Sequence, residues 1–380
     1  MKIVFINVVL EGDYQYEQEI PLGIASLMAF LRKHNYDVIC QQCFAGRDDA
    51  QISLATRIEA DIYCFQLNTV NYQAVKTVVK EIKIKRPTSY AIFGGPFLIS
   101  LSEKILKNEP LYDFIVFGEG EATLLELLRA IERPKSDFSN INGLVWRKES
   151  GEVVTNKPRE LIEDLDTLPF PARDFLEDGK LDPRDNGLIE SVRLVSSRGC
   201  IGRCSFCCVN LYNKFQKGRA WRGRSPKNVV DEIEYLSKTF NAKLFNFSDS
   251  SFDDPGKLGK IRSRQICEEI ISRKIPFSAK IYLRCETMKS SDDIELLKLY
   301  KKAGIDIIII GAESGSDYEL KLYDKPAGVE DNYRTVRILE DLGLFYVMSG
   351  FIMFGPNSTL ETLRSNIEFL YRGANVDPRF

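Results

Sequence analysis

Reactive chemistry concentrates in Ser197-Arg-Gly-Cys-Ile-Gly-Arg-Cys-Ser-Phe-Cys-Cys208, which holds Cys200, Cys204 and Cys207 in the spacing Cys-x3-Cys-x2-Cys. Three thiolates so close in sequence can converge on one metal centre. A tetrahedral zinc site needs a fourth ligand, but the only histidine is His34 and no Cys-x2-Cys pair follows downstream. A 4Fe–4S cluster suits three thiolates better: each binds one iron, and the last iron stays open to a small molecule. Gly199 and Gly202 let the backbone turn tightly there and offer N–H groups to the sulfurs. Phe206, just before the third cysteine, is placed to shield a cluster or stack on its ligand.

This spacing, with an aromatic before the last cysteine, resembles the radical S-adenosylmethionine (SAM) enzymes. The resemblance implies that SAM chelates the open iron through its amino and carboxylate groups. One electron from the reduced cluster then cleaves SAM to a 5′-deoxyadenosyl radical. An electron donor such as flavodoxin or ferredoxin is implied with it.

The elements that must position such a site fall into two α/β halves. The chain has 380 residues, enough for two domains, and a formal charge of −2, which points to neither nucleic acid nor a membrane surface. Nine cysteines, three of them clustered, with no secretory signal at the start, predict a reducing cytoplasm. No apolar run reaches the roughly 18–20 residues of a membrane span.

In residues 1–132, apolar strands at 3–7, 37–41, 62–67, 89–93 and 114–117 alternate with helices at 21–34, 49–59, 70–85, 102–107 and 121–132. That alternation predicts a doubly wound parallel sheet whose ligand lies at the strand carboxyl ends. Phe93-Gly-Gly-Pro-Phe97 and Phe117-Gly-Glu-Gly-Glu121 place glycines directly after strands. Neither is a dinucleotide fingerprint, and tight strand-to-helix turns explain them equally well.

With Pro-Leu-Gly-Ile-Ala-Ser-Leu at 21–27, Gly-Gly-Pro at 94–96 and Gly-Glu-Gly-Glu at 118–121 ahead of the cysteines, the chain resembles the cobalamin-binding-domain class of radical SAM enzymes. The resemblance implies a flavodoxin-like domain holding cobalamin base-off, with Gly94, Gly95 and Pro96 against its nucleotide tail. Asn68 and Thr69 neighbour the tail, and Gly118 and Glu119 belong to the same rim. The stretch after the first strand, Asn7-Val-Val-Leu-Glu-Gly12, lacks the Asp-x-His-x-x-Gly that supplies a lower axial histidine elsewhere. His34, at a helix-to-strand turn, reads as a surface residue, so no histidine sits below cobalt. Cys40-Gln-Gln-Cys43 lies on a strand rather than at a helix start and reads as structural, and Cys64, Cys267 and Cys285 read as small core residues.

Residues 133–190 form a connection: a hairpin turning at 149–151, a proline-rich strap at 164–174 and a polar loop at 177–190. Residues 191–380 resume the alternation, with strands at 192–196, 243–247, 277–283, 306–310 and 347–353. The helices between them fall at 227–240, 257–273, 292–302, 330–342 and 360–371. The fold class is therefore α/β: an N-terminal flavodoxin-like doubly wound parallel sheet, then a partial (β/α)6 radical SAM barrel.

Charged and polar residues at strand carboxyl ends of such a barrel are usually functional. By resemblance, Asp249 lies beside the methionine amino group of SAM, Glu313 and Ser314 lie near its amino or ribose groups, and Ile352 and Phe354 line its adenine. Arg284 is placed to pair with a carboxylate, and a mutual ion pair of Arg284 with Glu313 is the structural alternative. Five barrel strands are visible where the family has six, and residues 375–380 head toward a sixth, so the barrel reads as short or truncated at its C-terminus.

The resemblance implies an enzyme that methylates an unactivated carbon or phosphorus of a small molecule or peptide. The adenosyl radical would abstract hydrogen, and the methyl group would come from methylcobalamin. Two alternatives stay open. One is a radical SAM cyclisation or rearrangement, with or without cobalamin. The other is a non-catalytic iron–sulfur electron-transfer or sensing protein, with Cys208 as the only near candidate for a fourth ligand.

Overall fold

The computed structural model describes residues 1–10, 20–45, 56–134, 137–174 and 192–372. The loop at 177–190 and the tail at 375–380 lie outside the described residues. So does the helix expected at 49–59, apart from its last few residues, which begin in a turn.

The chain divides into two compact units. The described residues of the first fall in Met1–Glu163, Thr167–Lys180 and Leu211–Arg219, and those of the second in Asp164–Asp166, Leu181–Asn210 and Ala220–Phe380.

The first unit is built on β1 (Lys2–Leu10), β2 (Asp37–Ala45), β3 (Ile62–Gln66), β4 (Tyr90–Gly94), β5 (Phe114–Val116), β6 (Leu144–Arg147) and β7 (Val153–Thr155). The sheet order is β2-β1-β3-β4-β5-β6-β7. The first five strands run parallel, in the flavodoxin order, with Ile3 opposite both Val38 and Ile62. The hairpin β6–β7 continues the sheet antiparallel, with Ile115 opposite Val145. The hairpin of the expected connection is thus sheet.

Strand β1 is buried almost end to end because helices cover both faces. Its period of two sends Val4, Ile6 and Val8 into one core with Val75, Val78 and Ile82 of helix α2 (Tyr72–Lys85) and Ile105 of α3 (Ser102–Asn108). Ile3 and Phe5 go into the other core, with Ile24, Met28 and Leu31 of α1 (Leu22–Lys33) and Leu124 and Leu128 of α4 (Gly120–Ile131). Each such side chain contributes about 1.5–3 kcal/mol. These two cores fix the strand ends against which a ligand would rest.

The second unit holds a five-stranded parallel sheet in the order β14 (Tyr346–Phe351), β13 (Ile305–Glu313), β12 (Ser278–Arg284), β11 (Leu244–Phe247), β8 (Val192–Leu194). The described residues thus show the five barrel strands expected. Helices α6 (Pro226–Phe240), α7 (Gly256–Arg273), α8 (Ser291–Ala303) and α10 (Val329–Leu342) connect successive strands. Ser225 caps α6 by accepting from the Asn228 N–H, and Ser290 and Asp293 form a capping box on α8. Along β12, Ala279, Ile281 and Leu283 are buried, while Ser278, Lys280, Tyr282 and Arg284 occupy the other face.

A short antiparallel pair, β9 (Ser197–Gly199) with β10 (Trp221–Gly223), and two short helices, α5 (Val209–Phe215) and α9 (Asp317–Leu322), complete the elements. Helix α11 (Leu360–Arg372) follows β14. Among the described residues, no helix is long and apolar enough to cross a membrane.

Candidate active site

Buried Asp249, just past β11, fixes the chain as it leaves β8: its carboxylate accepts from the Ser196 N–H at 3.1 Å and the Ser196 hydroxyl at 3.0 Å, and from the Ser197 hydroxyl. Burial pushes this carboxyl up, against the pull of those donors and of Arg262. Its oxygens are thus engaged inside the fold. Next, Gly199 has φ +89°, and a Cβ there would lie 1.9 Å from the Ala220 carbonyl oxygen, so no side chain fits where β9 meets β10.

The cysteines follow. The Gly202 N–H donates to Cys200 Sγ at 3.2 Å. A Cβ on Gly202 would stand 3.3 Å from Cys200 Sγ and 3.8 Å from both Cys204 Sγ and Arg284 Nη1, so the two sulfurs flank one glycine. The loop is pinned by the Ser205 N–H, which donates to the Tyr323 carbonyl at 2.8 Å, and by Phe206, edge-on to the Tyr323 ring at 5.6 Å. Cys200, Cys204 and Cys207 are half-buried and Cys208 is exposed. Burial raises the Cys200 and Cys204 thiols. Among the described residues no three Cys, His, Asp or Glu side chains converge tightly enough for a single ion. A cubane cluster gives each thiolate its own iron and needs no such convergence, so this donor set fits a cluster.

Beside the thiols lies a charged mouth. Asp254 is fully buried, with Oδ2 3.8 Å from Cys200 Sγ. Arg284 Nη2 stands 2.9 Å from Asp254 Oδ1 and its Nε 3.4 Å from Glu286 Oε1, but neither contact has hydrogen-bond geometry. Arg284 Nε and both Glu286 oxygens are therefore buried without a hydrogen-bond partner. Glu313, at a left-handed φ of +65° on a bulge of β13, lies 3.4 Å from Lys325 Nζ. Burial raises Glu313, while Glu313 and Glu286 keep the Lys325 ammonium up against its own burial. Unsatisfied guanidinium and carboxylate atoms side by side fit a zwitterion such as the methionine end of SAM.

The alternative of an Arg284–Glu313 pair is not what forms: Arg284 faces Asp254 and Glu286, and Glu313 faces Lys325. Ser314 is buried, its hydroxyl 2.8 Å from both Glu319 Oε2 and Asn366 Oδ1. Ile352 is half-buried, its N–H donating to the Glu313 carbonyl, while Phe354 is 70% exposed. Sequence reasoning missed Lys325, which follows the unforeseen helix α9, and Asp254, five residues beyond Asp249. An Asp-Asp-Pro turn at a strand end was the available signal.

In the first unit, a cleft opens at the carboxyl ends of β1 and β3, where the strand order switches. Asn7, Gln66, Asn68 and Asn71 line it. Asn68 Oδ1 accepts from the Val70 and Asn71 N–H groups, and Asn71 returns the bond to the Asn68 N–H, so two side-chain amides set the start of α2. Thr69 is exposed. Asn7 is 95% buried by its 5% exposure, and its Nδ2 has no partner. Gly95 has φ +127°, and a Cβ there would stand 2.8 Å from the Leu67 carbonyl oxygen; Gly94 precedes it and Pro96 opens a single 3-10 turn.

An uncharged cleft with an orphaned amide donor fits a cofactor rich in carbonyl and phosphate acceptors. Gly118 packs against the Gln216 side chain, and Glu119 accepts from the Ile162 N–H at 2.7 Å, so both serve the fold around this rim. His34 is half-buried at the opposite end of the strands, edge-on to Phe30 at 4.8 Å. Cys40 and Cys43 face the two opposite cores of the first sheet, burial pushing them up to about 12 and about 11, so they form no redox pair. Cys64, Cys267 and Cys285 are buried core residues.

Residues 194–370 match the radical SAM superfamily and residues 14–128 match the B12 binding domain. The chain is 28% identical over 352 residues to an uncharacterised methyltransferase of Pyrococcus horikoshii, covering 92% of this chain and 72% of that protein. It is 29% identical over 354 residues to an anaerobic magnesium-protoporphyrin IX monomethyl ester cyclase of Rubrivivax gelatinosus, covering 90% and 60%. Among solved structures, the cobalamin-dependent S-adenosylmethionine radical enzyme OxsB with aqua-cobalamin bound matches with a TM-score of 0.79 and 25% identity, over 99% of this chain and 52% of that one. The chain thus spans about half to three-quarters of the length of these three proteins. The radical SAM match implies a 4Fe–4S cluster and SAM, and the B12 match implies cobalamin.

Proposed function

We infer, for a chain that belongs to the radical SAM proteins carrying a B12-binding domain, that it is a cobalamin-dependent methyltransferase acting on an unactivated carbon or phosphorus of a small molecule or peptide. The observation that carries this reading is the pair of sulfurs flanking Gly202 beside the unsatisfied Arg284 and Glu286. Cys200, Cys204 and Cys207 hold the cluster, and the Gly202 N–H tunes the first thiolate. Arg284 takes the carboxylate of SAM, and Glu286 or Glu313 its ammonium. Lys325 balances the negative charge these carboxylates and thiolates accumulate. In the first unit, Gly94, Gly95 and Pro96 with Asn68 would lie against the tail of base-off cobalamin. Together these cofactors supply a carbon radical and a transferable methyl group. The electron comes from a donor such as flavodoxin or ferredoxin.

The test is anaerobic reconstitution with iron, sulfide and hydroxocobalamin, then desalting, metal counts and incubation with SAM and a reductant. About four irons and about one cobalt per chain, with 5′-deoxyadenosine formed, is the expected result. Absence of iron would remove the cluster reading. Iron without cobalt would remove methyl transfer. The cyclase relative favours a second reading, cyclisation or rearrangement on the same machinery. It predicts the same metals and 5′-deoxyadenosine but a product without an added methyl group.

A further inference from the structure

The face of the second sheet that carries Arg284 and Glu313 at its carboxyl end continues downward into a different chemistry. Arg193 on β8, Asn246 on β11 and Lys280 on β12 lie in one row, since Asn246 is the register partner of both Arg193 and Lys280. Tyr282 is two residues farther along β12 on the same face. All four are half-buried, in alternation with the buried residues of their strands. Lys280 makes no hydrogen bond or ion pair among the described residues. Burial and the neighbouring Arg193 charge depress its ammonium, and no carboxylate acts to raise it. The nearest acid on β13, Asp306, is committed to the Ser278 hydroxyl and to Lys301. Below Glu313 this face carries no other acid on the five strands. Asn246 Oδ1 is buried without a partner.

An ammonium partly removed from water, with no hydrogen bond or ion pair among the described residues, is costly unless an anion joins it. Nothing in the cluster or in the zwitterion site of the mouth uses Lys280. We propose that this row binds an anionic group of the substrate, a carboxylate or a phosphate, with Lys280 as its charge partner and Tyr282 as a hydrogen-bond donor. Asn246 Oδ1 accepts from a donor elsewhere on the same ligand. Lys280 and Arg284 are four residues apart on one strand face, about 13 Å. The anion is therefore the deep end of the ligand, and the reacting atom lies at the end toward Arg284. This substrate class rests on the reading of the chain as an enzyme that takes a small molecule into this sheet.

The experiment is calorimetric titration of the reconstituted protein with inorganic phosphate and, separately, succinate, at constant ionic strength set with chloride. Wild type should bind one of the two, and K280M should bind it at least about tenfold more weakly, the worth of one charge-assisted contact. K280R should stay within about threefold of wild type. Iron content and circular dichroism establish that each variant is folded, and K280Q replaces K280M if the latter is not. Preference for phosphate or succinate identifies the anion. Equal affinities in wild type and the neutral variants, or no binding of either anion by wild type, would overturn the proposal. The metal counts and 5′-deoxyadenosine assay read the enzyme assignment separately: phosphate binding through Lys280 in a protein without cobalt would leave this site standing and remove methyl transfer.

Discussion

The two strand-end sites share one architecture and use opposite chemistry. The cleft of the first sheet is made of backbone and neutral amides: Asn7, Gln66, Asn68 and Asn71, beside a glycine turn. The mouth of the second is made of thiols and charges: Asp254, Arg284, Glu286, Glu313 and Lys325 around Cys200 and Cys204. In both cases the site lies at the carboxyl ends of parallel strands. What differs is what burial does there. Neutral amides survive burial by bonding to nearby backbone, as the Asn68 and Asn71 side-chain oxygens do in accepting from backbone N–H groups, which leaves a shaped and rigid surface. Charges survive it only with partners, and those in the mouth are incompletely matched, which leaves a site that waits for a charged ligand.

The hardest test of this contrast is to remove the thiols. Ala at Cys200, Cys204 or Cys207 should cut iron from about four to below about one per chain and lower 5′-deoxyadenosine formation by at least about a hundredfold. Cobalamin uptake should be unchanged, because the amide cleft contains none of these residues. Cys208→Ala should match wild type in iron. Loss of cobalt together with iron in the three variants would show that the sites are not chemically independent.

The complementary change is Gly95→Val. With φ +127° and the Leu67 oxygen 2.8 Å from a Cβ, valine must move the turn that follows β3. The strain is worth roughly 1–3 kcal/mol. Cobalamin affinity should fall at least about tenfold by absorption titration, with iron and 5′-deoxyadenosine retained. Retained cobalamin affinity would mean that shape does not govern this cleft.

The contrast also explains what the sequence made legible. Strands and helices of both sheets were readable because buried faces impose a period of two or 3.6, and the predicted ranges match those of β1, α2, α7 and α8 to within three residues or so. The cysteine loop was readable because spacing is local. The joining of the β6–β7 hairpin to the first sheet was not, since a hairpin signal fixes its own turn and leaves open which strand it meets. Nor was Asp249's inward role: strand-end placement was visible, but its partners Ser196 and Ser197 are more than fifty residues away. Lys325 was missed because it becomes a neighbour of Glu313 only through α9, a helix too short to leave a periodic trace. Site residues brought in by local sequence are legible; those brought in by tertiary contact are not.

The smallest effects are pH effects, and they take opposite signs in the two units. Asp174 pairs with Arg32 at 2.6 Å in the first unit, and the Arg32 hydrogen bonds hold its carboxyl below the ordinary 3.8. Its contribution is present above pH 3.8 and lost as pH falls through the lowered folded value. With 38% of its side chain exposed, it is worth a few tenths of a kcal/mol. Asp254 behaves in reverse. Burial raises it from 3.8 to about 6, outweighing Arg284, while Asp253 and Glu286 push the same way as burial. Between about pH 6 and 3.8 the folded state therefore binds more protons at this group than the unfolded state, and stability from Asp254 rises as pH falls through that window. Asp254→Asn never ionises and lacks that slope. Measured before iron is added, the Tm of D254N relative to wild type should be higher at pH 7.5 than at pH 4.5 by roughly 2 °C, for about 1 kcal/mol after allowing for the Arg284 charge. For D174N the difference should be smaller and reversed and should open only below pH 3.8, the variant comparing worse at pH 7.5 than at pH values where Asp174 loses its charge. The same sign in both variants would mean that the mouth is as well matched in charge as the Arg32–Asp174 surface pair, and the contrast between the two sites would fail.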